Sequence, residues 1–168
     1  MDAISTGTMN GLQLLLNIIA MIIVIVALVY LVNATLGMFP DVYGEAITLE
    51  RILGVLMAPL TMMMGIPWNE AFITGQLMGT KVVLTEFVAY VRFGQIPVEE
   101  LSERTRIIMT YALCGFANFV SLGIMITGLV TMVPERKVEI MDMGLKSIIA
   151  GTIATCTSAT LVGIIITL

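Results

Sequence analysis

Residues 79–90 read GTKVVLTEFVAY, an apolar run that holds a lysine, Lys81, and a glutamate, Glu86. An unpaired charge at mid-bilayer costs at least ~3 kcal/mol, so these two residues need a reason if the run lies in a membrane. The rest of the chain says that it does. Of 168 residues, 58% are hydrophobic and 12% charged, with a mean hydropathy of +1.03. A soluble domain carries about twice that share of charge.

Two readings fit residues 68–92. In the first, this is one poor spanning helix in which Lys81 and Glu86, five positions apart, form a salt bridge. In the second, two half-length segments separated near Gly79-Thr80-Lys81 make a re-entrant hairpin, entering and leaving on one face. Such a hairpin is tolerated only when buried in protein.

Charge-free runs define the other segments. Residues 3–40 hold no charge, and the central LLLNIIAMIIVIVALVYLV is long enough to cross ~30 Å of hydrocarbon at helical rise. With no glycine between Gly11 and Gly37, it reads as one continuous helix facing lipid or a partner. An acidic connection follows over Asp41 to Arg51. Ile52 to Ile66, interrupted by Gly54 and Pro59, is too short to span and suits an interfacial helix. Ile107 to Pro134 and Ser147 to Leu168 are long enough for further spans.

The composition excludes several chemistries. There is no histidine, so the commonest general base and zinc ligand are missing. Glu86 stands alone in the spans, without a paired acid for general acid–base work; an enzyme is not expected, nor a metal site. No long basic tract points to nucleic acid. Cys114 and Cys156 sit inside apolar runs and read as small buried residues rather than a disulfide pair. Residues 1–10 lack a basic n-region and an apolar h-region, so they are not expected to be a signal peptide. Basic residues do not orient the chain: Arg136, Lys137 and Lys146 on one side tie with Arg92, Arg104 and Arg106.

The span TYALCGFANFVSLGI, residues 110–124, is unusually polar. Cys114, Asn118 and Ser121 follow i, i+4, i+7 spacing and would share a helix face. Helix–helix adhesion through small and weakly polar residues accounts for Cys114 and Gly115. It accounts less well for Asn118, whose amide needs several partners. An interruption near Gly115 to Gly123 would expose backbone beside it, as in discontinuous transporter helices. In the last span Ser147, Gly151, Thr155 and Ser158, then Ala159 and Gly163, read as a close-packing face. Asn33-Ala34-Thr35 is a glycosylation sequon too near the bilayer to be used.

Taken together, GTKVVLTEFVAY and TYALCGFANFVSLGI resemble the signature regions of the concentrative nucleoside transporter family. Those regions are a glycine with a lysine two on, then Asn-Glu-Phe-Val-Ala-aromatic, and a tyrosine-rich span with Cys-Gly-Phe-Ala-Asn. The likeness extends from DAISTGTMNGLQLLLNI through LSERTRIIMTYALCGFANF to MGLKSIIAGTIAT. It is a likeness to the C-terminal part of the family.

The resemblance implies an all-α integral membrane protein: the C-terminal half of an inverted-repeat transporter, with spanning helices, a re-entrant hairpin and a broken helix. It implies a scaffold-type helix over 1–37 and an acidic connection with an interfacial helix over 38–67. The transport-domain half follows over 68–168, as hairpin 68–98, broken helix 102–133 and closing helix 138–168. The function implied is sodium- or proton-coupled nucleoside uptake by a homotrimer in the plasma membrane, the bacterial inner membrane if the source is bacterial. No cofactor is expected. Leu168 would end outside and Pro134 to Lys146 would lie in the cytoplasm.

By the same resemblance Glu86 accepts hydrogen bonds from ribose hydroxyls, and Asn118 and Ser121 also hold the ribose beside Phe116. An ionised carboxylate is acceptor-only and could take both hydroxyls of a diol. Lys81 would neutralise Glu86 or cap carbonyls at the hairpin tip. The family asparagine before the glutamate is Thr85 here, which keeps a hydroxyl and loses an amide. The family's first hairpin, whose Gln-Thr-Glu motif reads the base and helps form the ion site, has no counterpart between Met1 and Leu168. The chain therefore reads as a fragment, a truncated product or one subunit of a split transporter, whose N-terminal half is a partner carrying most of the ion site. The alternative is a non-transporting assembly or regulatory subunit of the same fold.

Overall fold

A computed structural model describes residues 1–40, 44 and 46–166. Among these residues there are seven α-helices and no strand: α1 Asp2–Leu36, α2 Leu49–Met63, α3 Trp68–Val83, α4 Glu86–Gln95, α5 Glu103–Leu113, α6 Phe119–Met132 and α7 Lys137–Ile165. Short 3-10 turns precede α5 and α7. Part of the acidic connection, Asp41, Val42, Tyr43 and Glu45, lies outside the described residues, as does Leu168.

α1 is 35 residues long, about 52 Å at 1.5 Å per residue. Its side chains are almost all exposed, and Val29 alone is buried. So long an apolar helix with no protein around it needs lipid or another subunit as its surroundings. The helical stretch Pro134–Ile165 is also long and apolar enough to cross a membrane. The expected span 107–134 is instead divided into α5 and α6.

The tightest packing is between α2 and α3, and glycines make it possible. A Cβ on Gly75 would lie 2.5 Å from the Gly54 carbonyl oxygen, and one on Gly79 would lie 2.9 Å from Leu53 Cβ. Lipid supplies no hydrophobic drive between helices, so close backbone approach is what holds such a pair. Gly79 therefore lies inside α3 and does not mark a break.

The break comes at Leu84-Thr85, five residues later than the sequence suggested. There the chain doubles back. Arg92 Nη1 donates to Thr80 Oγ1 at 3.0 Å, whereas twelve residues of straight helix would separate the two positions by about 18 Å. Thr85 is extended, with φ −149°, and its hydroxyl caps α4 by accepting from Val88 N. Threonine thus supplies the N-cap that an asparagine would supply.

Buried acids, each adjoining an apolar run, fasten these elements. Glu50 accepts from Asn33 Nδ2 on α1 at 2.9 Å and pairs with Arg92 Nη2 on α4 at 3.2 Å. Asn33 Oδ1 also accepts from Leu49 N, closing the start of α2. At the other end of the hairpin Glu70 accepts from both the backbone and the hydroxyl of Ser102, the residue that caps α5. Arg104 reaches the Gly65 and Gly163 carbonyls. Arg106 donates to the Ile96 and Pro97 carbonyls and sits over the Phe93 ring. Arg92, Arg104 and Arg106, three of the basic residues counted for orientation, are thus occupied with carbonyls, a hydroxyl and a carboxylate.

α7 packs through Gly144, Ile148, Thr152, Cys156, Ala159 and Gly163, which are its buried residues. Ser158 lies off that face and is exposed. Cys156 is buried as expected, but Cys114 is exposed. The cause is the end of α5 at Leu113, which leaves Cys114 in the connection rather than inside a span.

Candidate functional site

The tip of the hairpin meets the break between α5 and α6. α6 starts after Asn118, which is extended (φ −146°) and caps the helix: its Oδ1 accepts from Ser121 N at 2.7 Å. That bond aims the other end of the amide outward, where Nδ2 donates to Glu86 Oε2 at 2.8 Å. Asn118 is fully buried, and Glu86 and Ser121 are half-buried. The Cys114–Asn118–Ser121 face of one continuous helix does not exist. Asn118 and Ser121 are brought together instead by a cap.

Lys81 makes no direct ion pair with Glu86. It is fully buried in α3, and its Nζ donates to the Ala112 carbonyl at 2.8 Å and to Thr155 Oγ1 at 3.1 Å. From α4, the Tyr90 hydroxyl donates to the Thr110 carbonyl at 2.5 Å. These carbonyls would accept from Phe116 N and Cys114 N if α5 continued. Cys114 N turns to Tyr111 O, so two hairpin side chains take the places of two lost helix bonds. A broken helix leaves such acceptors orphaned; here the hairpin satisfies them. Capping of carbonyls was expected of Lys81, but at the hairpin tip rather than on α5.

A cleft of about 670 Å³ opens between the break, α6 and α7. Phe116, Asn118 and Ser121 line one wall; Ser147, Gly151 and Thr155 line the other. Of those three α7 residues, expected to pack closely, Ser147 is exposed, whereas Gly151 and Thr155 pack against the break: a Cβ on Gly151 would lie 3.1 Å from Ala117 Cβ, and one on Gly115 2.1 Å from Thr155 Cγ2. Phe116 is 71% exposed. Glu86 is not on the cleft wall and meets it through Asn118.

Hydrogen-bond capacity is left over at this cluster. Glu86 Oε1 accepts from no described residue, and Oε2 is engaged by Asn118. Asn118 keeps one N–H, and the Ser121 hydroxyl is uncommitted. A half-engaged carboxylate, an amide donor and a hydroxyl thus sit beside a bare aromatic ring.

The family model described as Na+ dependent nucleoside transporter C-terminus matches residues 1–163. The chain belongs to this family, the concentrative nucleoside transporters. It is a family of transporters, not of enzymes. The chain is 43% identical over 166 residues to the uncharacterized transporter YutK of Bacillus subtilis, covering 98% of this chain and 41% of that protein. It is 41% identical over 170 residues to the nucleoside permease NupC of Helicobacter pylori, again covering 98% of this chain and 41% of the relative. Among solved structures, an intermediate state of a CNTnw variant superposes with a TM-score of 0.88 at 38% identity, covering 98% of this chain and 41% of that one. The inward-facing, substrate-bound state of CNTnw gives 0.78 at 37% identity, covering 99% and 40%. The chain therefore spans about two fifths of the length of these relatives.

Proposed function

We propose that this chain is the ribose-binding half of a cation-coupled nucleoside uptake system, homotrimeric in the plasma membrane. The observation that carries the reading is the Glu86–Asn118 contact, with acceptor, donor and hydroxyl capacity left beside the exposed Phe116. A nucleoside is a flat heterocycle joined to a vicinal diol. Each diol hydroxyl both donates and accepts, which suits a carboxylate oxygen, an amide N–H and a serine hydroxyl set close together. An aromatic face suits the ring.

The geometry refines how Glu86 acts. With Oε2 holding Asn118, Oε1 takes one ribose hydroxyl while Asn118 and Ser121 address the other. In this reading residues 68–98 are a re-entrant hairpin whose tip lies near mid-bilayer, with 102–133 as the broken helix and 138–168 as the closing helix. The polar residues at the tip are then buried against protein and substrate, not lipid. α1, with its uncovered apolar surface, forms the scaffold toward neighbouring subunits, and α2 lies at the interface. The other member of the inverted repeat and most of the site for the coupling ion, sodium or proton, belong to the part of the transporter that precedes this chain in its relatives.

The test is binding of labelled uridine and adenosine to the purified chain in nanodiscs, with and without that preceding half. Saturable binding that competes with free ribonucleosides, and falls on Glu86→Gln, supports the reading. A folded complex of both halves that binds neither nucleoside favours an assembly or regulatory subunit.

A further inference from the structure

Lys81 is the only buried cation among the described residues, and it makes no direct ion pair with a carboxylate. Both of its partners are acceptors toward it. The Ala112 carbonyl can only accept, and the Thr155 hydroxyl already gives its own hydrogen to Thr152 O at 3.0 Å. The carbonyl belongs to the last turn of α5, the negative end of the helix dipole. A carbonyl oxygen and a hydroxyl oxygen at a half-helix C-terminus form the kind of oxygen pocket that binds small cations in broken-helix transporters. Here a side chain fills it. Space around the ammonium is limited: a Cβ on Gly115 would lie 3.4 Å from Nζ and 2.1 Å from Thr155 Cγ2.

We propose that the Lys81 ammonium is a tethered cation, built into the α5–α6 break to stand in for the lost Phe116 N–H bond to Ala112. It keeps residues 114–118 unwound and so places Phe116 and Asn118. Lys81 is a positioning residue that acts through Ala112 and touches no substrate. Removing its side chain turns the pocket into a site for a free alkylammonium ion. Thr155 also lines the cleft, which gives such an ion a route in. The proposal rests on the nucleoside reading only for the purpose of the break. Its readouts need no nucleoside, so the two can fail separately.

The experiment uses the full chain in nanodiscs, in parent, Lys81→Ala, Lys81→Met and Lys81→Arg forms. Thermal melting and the rate of maleimide labelling at the exposed Cys114 are followed with propylammonium chloride, which matches the atoms that alanine removes. Tetramethylammonium and 1-propanol serve as controls. Lys81→Ala should melt about 5 °C or more below the parent, with Cys114 labelling changed about tenfold. Propylammonium should reverse both effects saturably; neither control should, and the parent should not respond. Lys81→Met fills the space without charge and should show the loss without the rescue. Failure of propylammonium to restore folded Lys81→Ala overturns the proposal, as does Lys81→Met melting as high as the parent. Should Lys81→Ala yield no folded protein, the other pair decides: Lys81→Arg more stable than Lys81→Met supports a required cation, and equal or reversed order refutes it.

Discussion

Glu86→Gln is the substitution in which the refined site makes its sharpest demand. A glutamine can keep the bond to Asn118 by turning its carbonyl oxygen toward Nδ2, now 2.8 Å from Glu86 Oε2. Its –NH2 then occupies the position of Oε1, which in the parent accepts from no described residue. The folded structure should therefore survive, and the change should appear in ligand binding. Exchanging an ionised acceptor for a donor removes one charge-assisted hydrogen bond, about 1.5–3 kcal/mol, or roughly 10- to 150-fold in affinity. The assay is uptake of uridine and of its 2′- and 3′-deoxy analogues into vesicles carrying this chain with its preceding half. One deoxy analogue, the one lacking the hydroxyl that meets Oε1, should lose little more on Glu86→Gln, while the other should lose the full factor. That asymmetry follows from Oε2 being engaged by the protein. Uridine uptake within twofold of the parent would remove Glu86 from the site. Equal additivity for both analogues would refute the division of labour between its two oxygens.

Gly75→Ala should destabilise the chain by about 1–3 kcal/mol through overpacking, since its Cβ meets the Gly54 carbonyl oxygen at 2.5 Å. Gly94→Ala, with nothing within 4 Å, is the control, and thermal melting in nanodiscs separates the two. Asn33→Leu should lower stability by about 1–3 kcal/mol, because Glu50 loses one charge-assisted donor and Leu49 N loses its acceptor; a melting temperature equal to the parent's would show that the α1–α2 link is dispensable. Cys114, exposed at the break, should react with a membrane-permeant maleimide while Cys156 stays unmodified until denaturation. Mass spectrometry of labelled peptides checks that order.

The family and the helical character were legible in the sequence because they rest on long motifs and long apolar runs. The position of the hairpin tip was not. Gly79 looked like a breaker, yet in α3 it is a contact point, and the need for a glycine there comes from α2, which sequence spacing does not reveal. The actual break at Leu84-Thr85 has a signal of its own: a threonine followed by a glutamate that opens a new helix is an N-cap pattern. Cys114 was misplaced for a related reason. Counting i, i+4, i+7 along residues 114–121 assumes a helix, and an interruption removes both the periodicity and the burial it implies. Glu50, Glu70 and the arginines were passed over because charges beside apolar runs look like solvated connections. Only the fold shows that Glu50 and Glu70 meet donors on other elements, and that Arg92, Arg104 and Arg106 meet a carboxylate, a hydroxyl and carbonyls.

The two charges of residues 79–90 could have been satisfied together, and the fold keeps them apart. A Lys81–Glu86 salt bridge would have lowered the cost of both in the membrane, but it would have engaged the carboxylate with a flexible, strongly hydrated ammonium. A ligand hydroxyl would then have had to compete with a full positive charge for Glu86 Oε1. Ending α3 at Val83 and starting α4 at Glu86 sends Lys81 to the end of α5 and Glu86 to the start of α6. One of the lysine's hydrogens goes to the Ala112 carbonyl, which the helix break would otherwise leave bare. The glutamate gives up one oxygen to a neutral amide, a weaker partner than an ammonium, and keeps the other. Tyr90, one turn on, completes the cap on α5. One short stretch thus both stabilises the interruption and furnishes an acceptor beside it, and this works only because its lysine and glutamate do not pair.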